Sequence, residues 1–287
     1  MTDSVELTPH PTRPAQVGDV PVSAWSQLQD CCGELSLERM LVIPGGRSGR
    51  SRRRRPALPN RVVAFGSIAA GQWSDDGGAG SVESMPLDDI RAIDDRVVLL
   101  HGRLSVIGCH GGIVVQYNAV ARRYLRDSIL WLRREIAGAE LATLRSFVWI
   151  GADGNEHPVG ALPHKWAYLL GCRDDLRIDK STNEMVAVGG VTEIGLSRGP
   201  ATGIAILGPR ELVVAAEPPD WLDGSRYGVD LTVVPRRFLS HLGWTGGDLR
   251  IGLRDSNHAA SGSISRPLDG RLYQAMRQSF GDAVPWA

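Results

Sequence analysis

The chain has 287 residues, 43% of them apolar, which is enough for one large domain or two of ordinary size and excludes a disordered or disulfide-stapled mini-protein. Its 32 basic and 32 acidic side chains cancel, so no overall field marks it as a polyanion binder, and any such role has to be local. Only Lys165 and Lys180 are lysines, and the abundance of Arg, Ala and Gly reads as the codon bias of a GC-rich bacterial genome.

Residues 1–22 carry four prolines and little periodicity, which predicts a loosely attached leader. They lack the basic start and apolar middle of a secretory signal, and no later stretch approaches the ~18 apolar residues of a membrane span, so a cytoplasmic location is expected. A helix from Ser23 to Met40 follows, with Ser23 as its N-cap. "GGRSGRSRRRRPALPN", residues 45–60, is too rich in Gly, Ser and Pro for regular structure and reads as a loop.

"RVVAFGSIAAGQW" predicts one or two strands ending at the turn "SDDGGAGS". "VESMPLDDI" is a strand leading into Pro86, "DRVVLLHGRLSVIG" a β-run broken at Gly102, "CHGG" a turn, and "GIVVQY" another strand. After Tyr117 the period changes: Ala121, Leu125, Ile129, Leu132 and Ile136 recur at three or four, predicting an amphipathic helix with Asn118 capping its start and Gly138 ending it. Its other face carries Arg122, Arg123, Arg126, Arg133 and Arg134.

In the second half, "TGIAILGPRELVVAAEP" reads as two strands joined at "LGPRE", followed by strands in "RYGVDLTVVPRRFL" and "GDLRIGL" and a helix over 267–280. Pro86 and Pro235 stand 235 − 86 = 149 positions apart, each between β-rich runs and each ahead of further strands and a helix. The order of elements repeats, although identities hardly do, which points to a duplicated module. The division expected is a leader at 1–22, a first module at 23–138 holding the Arg-rich loop, a connector at 139–161 and a second module at 162–287. The fold class is α+β, with two small curved antiparallel sheets or partly open barrels, each closed by its own C-terminal helix around its own interior.

Several stretches invite a chemical reading. The adjacent Cys31 and Cys32 cannot form an ordinary disulfide, and with Cys109 and Cys172 they are expected as reduced thiols. Cys109 and His110 neighbour each other on a strand and so point apart, which argues for a turn over a catalytic dyad. "GGRSGRS" lacks the lysine and the following helix of a phosphate loop, and His157 and His164 are not at a ligand spacing. No cofactor, metal or catalytic group is therefore expected.

Asp88, Asp89, Asp94 and Asp95 are expected to face solvent around the inward Ile90 and Ile93. The tryptophans, including Trp73, Trp131, Trp166 and Trp244, are core or interface anchors, and an exposed one would mark a partner site. Arg47, Arg50, Arg52, Arg53, Arg54 and Arg55 lie within nine residues and form, with Arg122 and Arg126 of the helix, the candidate surface for an anionic partner, either lipid or nucleic acid. The bland alternative is a solvated loop and a solvated helix face.

The strand entering Pro86, Leu87 and Ile90, followed by "YNAVARRYLRDSILWLR", resembles the pleckstrin-homology-like (PH-like) superfold of bacteria, in which a "P-L-x-x-I" corner precedes a capping helix. The resemblance covers 61–137 closely and 162–281 loosely; Pro235 and Leu239 match, but Arg236 replaces the apolar residue after the proline. It implies a tandem, non-catalytic binding or scaffolding protein engaging a protein partner. An enzyme or ligand sensor with a cleft between the halves, lined by His164, Asp174, Asp175 or Glu211, is the alternative. Oligomeric state is not legible.

Overall fold

The computed structural model describes residues 11–45, 60–75, 77–98, 101–138, 141–142, 148–151, 155–158, 178–179, 187–189, 203–218, 228–254, 263–267 and 270–287. The predicted loop arginines, His164, Trp166, Cys172, Asp174 and Asp175 lie outside them.

Residues 11–22 are tied down rather than loose: Thr12 and Val42 exchange both backbone hydrogen bonds, at 2.8 and 2.9 Å, and Val20 is buried. Helix α1 (Val22–Cys32) follows. It begins after Pro21, so Ser23 lies inside it, and it stops at Gly33, whose φ of 78° a side chain would disfavour. The expected helix to Met40 is thereby cut short, and Met40 instead opens a strand. Ala24, Leu28 and Cys32, four apart, form the buried stripe of α1.

The first antiparallel sheet has the order β1 (Met40–Ile43), β2 (Arg61–Phe65), β3 (Ala69–Ser74), β4 (Ser81–Pro86). Alternation sends Met40, Val62, Ala64 and Trp73 toward α1, and Leu41, Ile43, Val63 and Phe65 to the other face. A 3-10 turn, Leu87–Asp89, then leads into β5 (Ile90–Val98), β6 (His101–Gly108) and β7 (Gly112–Asn118). The chain reverses between Val98 and His101, not at Gly102; Gly102 continues β6 because it lies opposite Tyr117, whose ring leaves no room for a Cβ. Helix α2 (Arg122–Ala137) closes this part as expected, with Asn118 accepting from the Val120 N–H and Gly138 left-handed at φ 63°.

Short strands β8 (Leu141–Ala142), β9 (Val148–Gly151), β10 (Glu156–Pro158), β11 (Ile178–Asp179) and β12 (Ala187–Gly189) precede β13 (Gly203–Leu207), β14 (Glu211–Ala216) and β15 (Val229–Pro235). After a second 3-10 turn, Arg236–Phe238, come β16 (Leu239–Thr245), β17 (Asp248–Leu253), β18 (Ser263–Pro267) and α3 (Gly270–Phe280). The two corners share their local geometry. Pro86 has φ, ψ of −53°, 143° and Pro235 −57°, 132°; Ile90 has −73°, 119° and Leu239 −73°, 116°. A bulge follows each, between Ile90 and Ala92 and between Leu239 and His241. The corners also touch, the guanidinium of Arg91 lying 4.0 Å from the centre of the Phe238 ring.

The α+β layout of mainly antiparallel sheets is thus present, and among the described residues no sheet closes into a barrel. The two halves do not keep separate sheets. β15 pairs antiparallel with β5, giving a nine-stranded sheet of order β10-β9-β12-β13-β14-β15-β5-β6-β7. Nor are the interiors separate. Ile204, Ile206, Val213, Ala215, Leu231 and Val233 of the second half join the core under α2, while the opposite faces of β13–β15 pack on β16–β18 and α3. A strand with apolar residues on both faces needs cover on both, and the chain supplies one cover from each half.

Candidate functional site

Along β5, alternation puts Asp94 and Arg96 on one face and Asp95 on the other. The register places Asp230 opposite Arg96 and Thr232 opposite Asp94. Arg96 grips the buried Asp230 carboxylate through Nε at 2.8 and 2.9 Å and Nη2 at 2.7 Å. Arg266 of β18 donates through Nε to Thr232 Oγ1 at 2.7 Å and pairs with Asp94. Burial lowers the Arg266 pKa to about 10, which leaves it cationic at neutral pH. Across the sheet, Asp95 accepts from the Tyr117 hydroxyl at 2.5 Å and from Arg122 Nε at 3.1 Å. Asp94 and Asp95 are therefore largely withdrawn from water, contrary to the expectation, because Arg266 of β18 and Thr232 of β15 meet Asp94 on one face while Tyr117 of β7 and Arg122 of α2 meet Asp95 on the other.

Burial and the Asp95 carboxylate push the Tyr117 phenol well above its usual 10. Between the unfolded and folded values the native state holds the proton more tightly, so stability falls as pH rises above about 10. Urea unfolding from about pH 9 to about pH 11 is expected to show this slope, and Tyr117→Phe to flatten it; an unchanged slope in the variant assigns the loss to other groups.

Of the arginines singled out for an anionic partner, Arg122 and Arg126 lie within the described residues. Arg122 is committed to Asp95, and Arg126, about one-third exposed, lies 3.5 Å from Asp127 on its own helix. Together with Asp95, Ile129, Leu130 and Leu231 these two arginines line a small recess with room for about one water. Arg133 does not belong to the solvent face at all. It is fully buried and holds the fully buried Glu211 of β14, Nη2 to Oε1 at 2.5 Å and Nε to Oε2 at 3.2 Å. Glu211 thus ties β14 of the second half to α2 of the first.

Cysteine chemistry is muted. Cys109 is 5% exposed, and burial together with Asp89 raises its thiol pKa, while His110 points to solvent. Cys31 and Cys32 lie Sγ to Sγ at 3.5 Å as free thiols. Among the described residues no three His, Cys, Asp or Glu could hold a metal, and no helix is long and apolar enough to cross a membrane.

An exposed aromatic cluster lies at the outer edge of β16. Trp244 is 39% exposed and stacks on Tyr273 of α3 at 6.3 Å, and Trp286 meets the same ring edge-on at 5.6 Å. Trp286 forms a parallel bridge with Leu242; the Leu242 N–H donates to Pro285 O and the Ala287 N–H donates to Leu242 O, both at 2.9 Å. The segment Val284–Ala287 thus lies as an extended strand on β16.

No family model matches the chain, and no curated protein matches it.

Among the described residues, the edge of β16 sets a short backbone ladder beside the stacked rings of Trp244, Tyr273 and Trp286. Trp244 was legible as a tryptophan that would mark a partner if exposed. Tyr273 and Trp286 were not singled out, although an aromatic in the last helix and a "VPWA" run with alternating large residues were the available signals.

Proposed function

We propose that the chain is a non-catalytic binding or scaffolding protein that engages a protein partner, and that it is built of two PH-like modules. The repeated corner, with its matching proline, 3-10 turn and bulge, supports the two-module reading, as does a helix after the strands that follow each corner. Free thiols suit a reducing cytoplasm, and the arginine-over-lysine bias suits a bacterium with a GC-rich genome. The observation that carries the functional reading is the exposed Trp244–Tyr273 stack beside a sheet edge that already accepts an extended segment.

A partner retained by the intact chain from extracts of its source is expected to be lost with Trp244→Ala. Aromatic anchors at interfaces contribute about 2 kcal/mol or more, roughly thirtyfold in affinity. Trp244 is exposed enough that the substitution should change stability by no more than about 1 kcal/mol. Retention of the same partners by both proteins removes this edge from the binding surface.

A further inference from the structure

We infer that the outer edge of β16 is a strand-acceptor site for an extended, uncharged polypeptide segment with an apolar residue and, two positions on, an aromatic one, and that Val284–Ala287 occupies it within the chain. This rests on the binding reading above and names the class of partner.

The two corners supply the first argument. Leu242 follows Pro235 as Ile93 follows Pro86, so the two residues hold the same place on their strands. At Ile93 the edge is closed by β15, with Val233 opposite, in a register running over five residue pairs from Val229 to Val233 and locked by the Arg96–Asp230 pair. Among the described residues, the same edge at Leu242 carries the Trp286 bridge and two backbone hydrogen bonds. Thr245 and Gly243 stand where Arg96 and Asp94 stand on β5, so the charges that lock the first edge have no counterpart on the second. One edge is built shut and the other is lightly covered.

The covering segment shows what the site takes. Val284 is 1% exposed in the core under α3 and Trp286 is half-buried on Tyr273, while Pro285 and Ala287 point outward. That is the alternation of a strand with its apolar side inward. The segment passes over Gly243, where a Cβ would make ordinary van der Waals contact with the Ala287 Cβ at 3.4 Å. The segment leaves α3 through the 3-10 turn Gly281–Ala283, where Gly281 has φ 46° and Trp286 Nε1 donates to its carbonyl at 2.7 Å. A few torsions there would swing the segment off the edge. Main-chain bonds to the sheet edge with side chains in alternate pockets is the general form of recognition by strand addition.

The test uses the full chain and a fluorescent peptide of residues 281–287, GDAVPWA. Trp286→Ala weakens the internal occupant, so the labelled peptide is expected to bind this variant at least tenfold more tightly than the unaltered chain, where the tethered segment competes at a high effective concentration. A peptide with alanine for tryptophan should bind neither. Equal binding to both proteins, or none to the folded variant, overturns the inference. So does a dimer of the unaltered chain that the peptide dissolves, because the seat would then be filled by a second copy.

If the variant does not fold, hydrogen exchange on the unaltered chain decides. The Ala287 amide should exchange well ahead of Leu231 and Val233 and faster still with excess peptide; protection equal to that of β15 overturns the inference. Peptide binding together with partner capture indifferent to Trp244→Ala sinks the cellular reading and leaves the acceptor site standing. The reverse pattern sinks the acceptor site alone.

Discussion

Glu211→Ala should destabilise the protein by about 3–5 kcal/mol in urea unfolding, the largest effect we expect of any single side chain. Arg133 and Glu211 are both fully buried, and their two hydrogen bonds, at 2.5 and 3.2 Å, join α2 in the first half to β14 in the second. Removing the carboxylate takes the Glu211 pairing away from a fully buried guanidinium, and losing one partner of a buried charge costs more than losing an ordinary contact. Replacing both residues by leucine should recover most of the loss, because a well-packed apolar pair of similar volume often matches a buried ion pair. The double-mutant cycle is the measurement; a single-variant cost below about 1 kcal/mol would show that the pair is open to solvent. The pair spans the halves, so the intact chain is expected to unfold in one transition.

Gly102→Ala comes second, at about 3 kcal/mol. Gly102 faces Tyr117 across the β6–β7 ladder, and a Cβ built on it falls 2.2 Å from the ring, closer than any real contact. Tyr117 has nowhere to go, being fully buried against the core and hydrogen-bonded to Asp95. Overpacking costs about 1–3 kcal/mol, and breaking the buried hydroxyl–carboxylate bond adds about 1–3 kcal/mol. The expected fall in Tm is about 5–10 °C. Trimming the ring with Tyr117→Leu should make the alanine nearly harmless, and a plainly additive double variant would refute the clash.

Local features were legible because they depend on neighbours in sequence. The 3.6 period of Leu125, Ile129, Leu132 and Ile136 and the Gly138 stop describe α2 as it stands, while Asn118 caps the 3-10 turn Ala119–Ala121 that leads into it. The "LGPRE" hairpin between β13 and β14 was equally plain. The union of the halves was not, because Val229–Val233 meets Ile93–Val97 across more than a hundred residues and nothing in either run names its mate. Of the four aspartates flanking Ile90 and Ile93, Asp88 is exposed as expected, whereas Asp94 and Asp95 looked wet because the partners that bury them, Arg266, Tyr117 and Arg122, are not their neighbours in sequence. Arg133 could have been suspected, since it falls four after Ile129 and three before Ile136, on the buried stripe. Its partner Glu211, 78 positions on, could not. At the aromatic edge, Trp244 drew notice by residue type, whereas the strand-like placing of Val284–Ala287 depends on a fold that brings it back to Leu242.

The shared strand pair also sets a timetable for synthesis. β5 is complete at Val98 and its mate begins at Val229, so the ribosome must add 229 − 98 = 131 residues before the two can meet. At ordinary translation speeds of about 5–20 residues per second this interval lasts roughly 7–26 s. Throughout it the nascent first half carries a strand with one edge unpaired and an interior missing one wall. Exposure to misassembly is therefore governed by elongation and by whatever shields the emerging chain, a kinetic hazard that the stability of the finished protein does nothing to lessen.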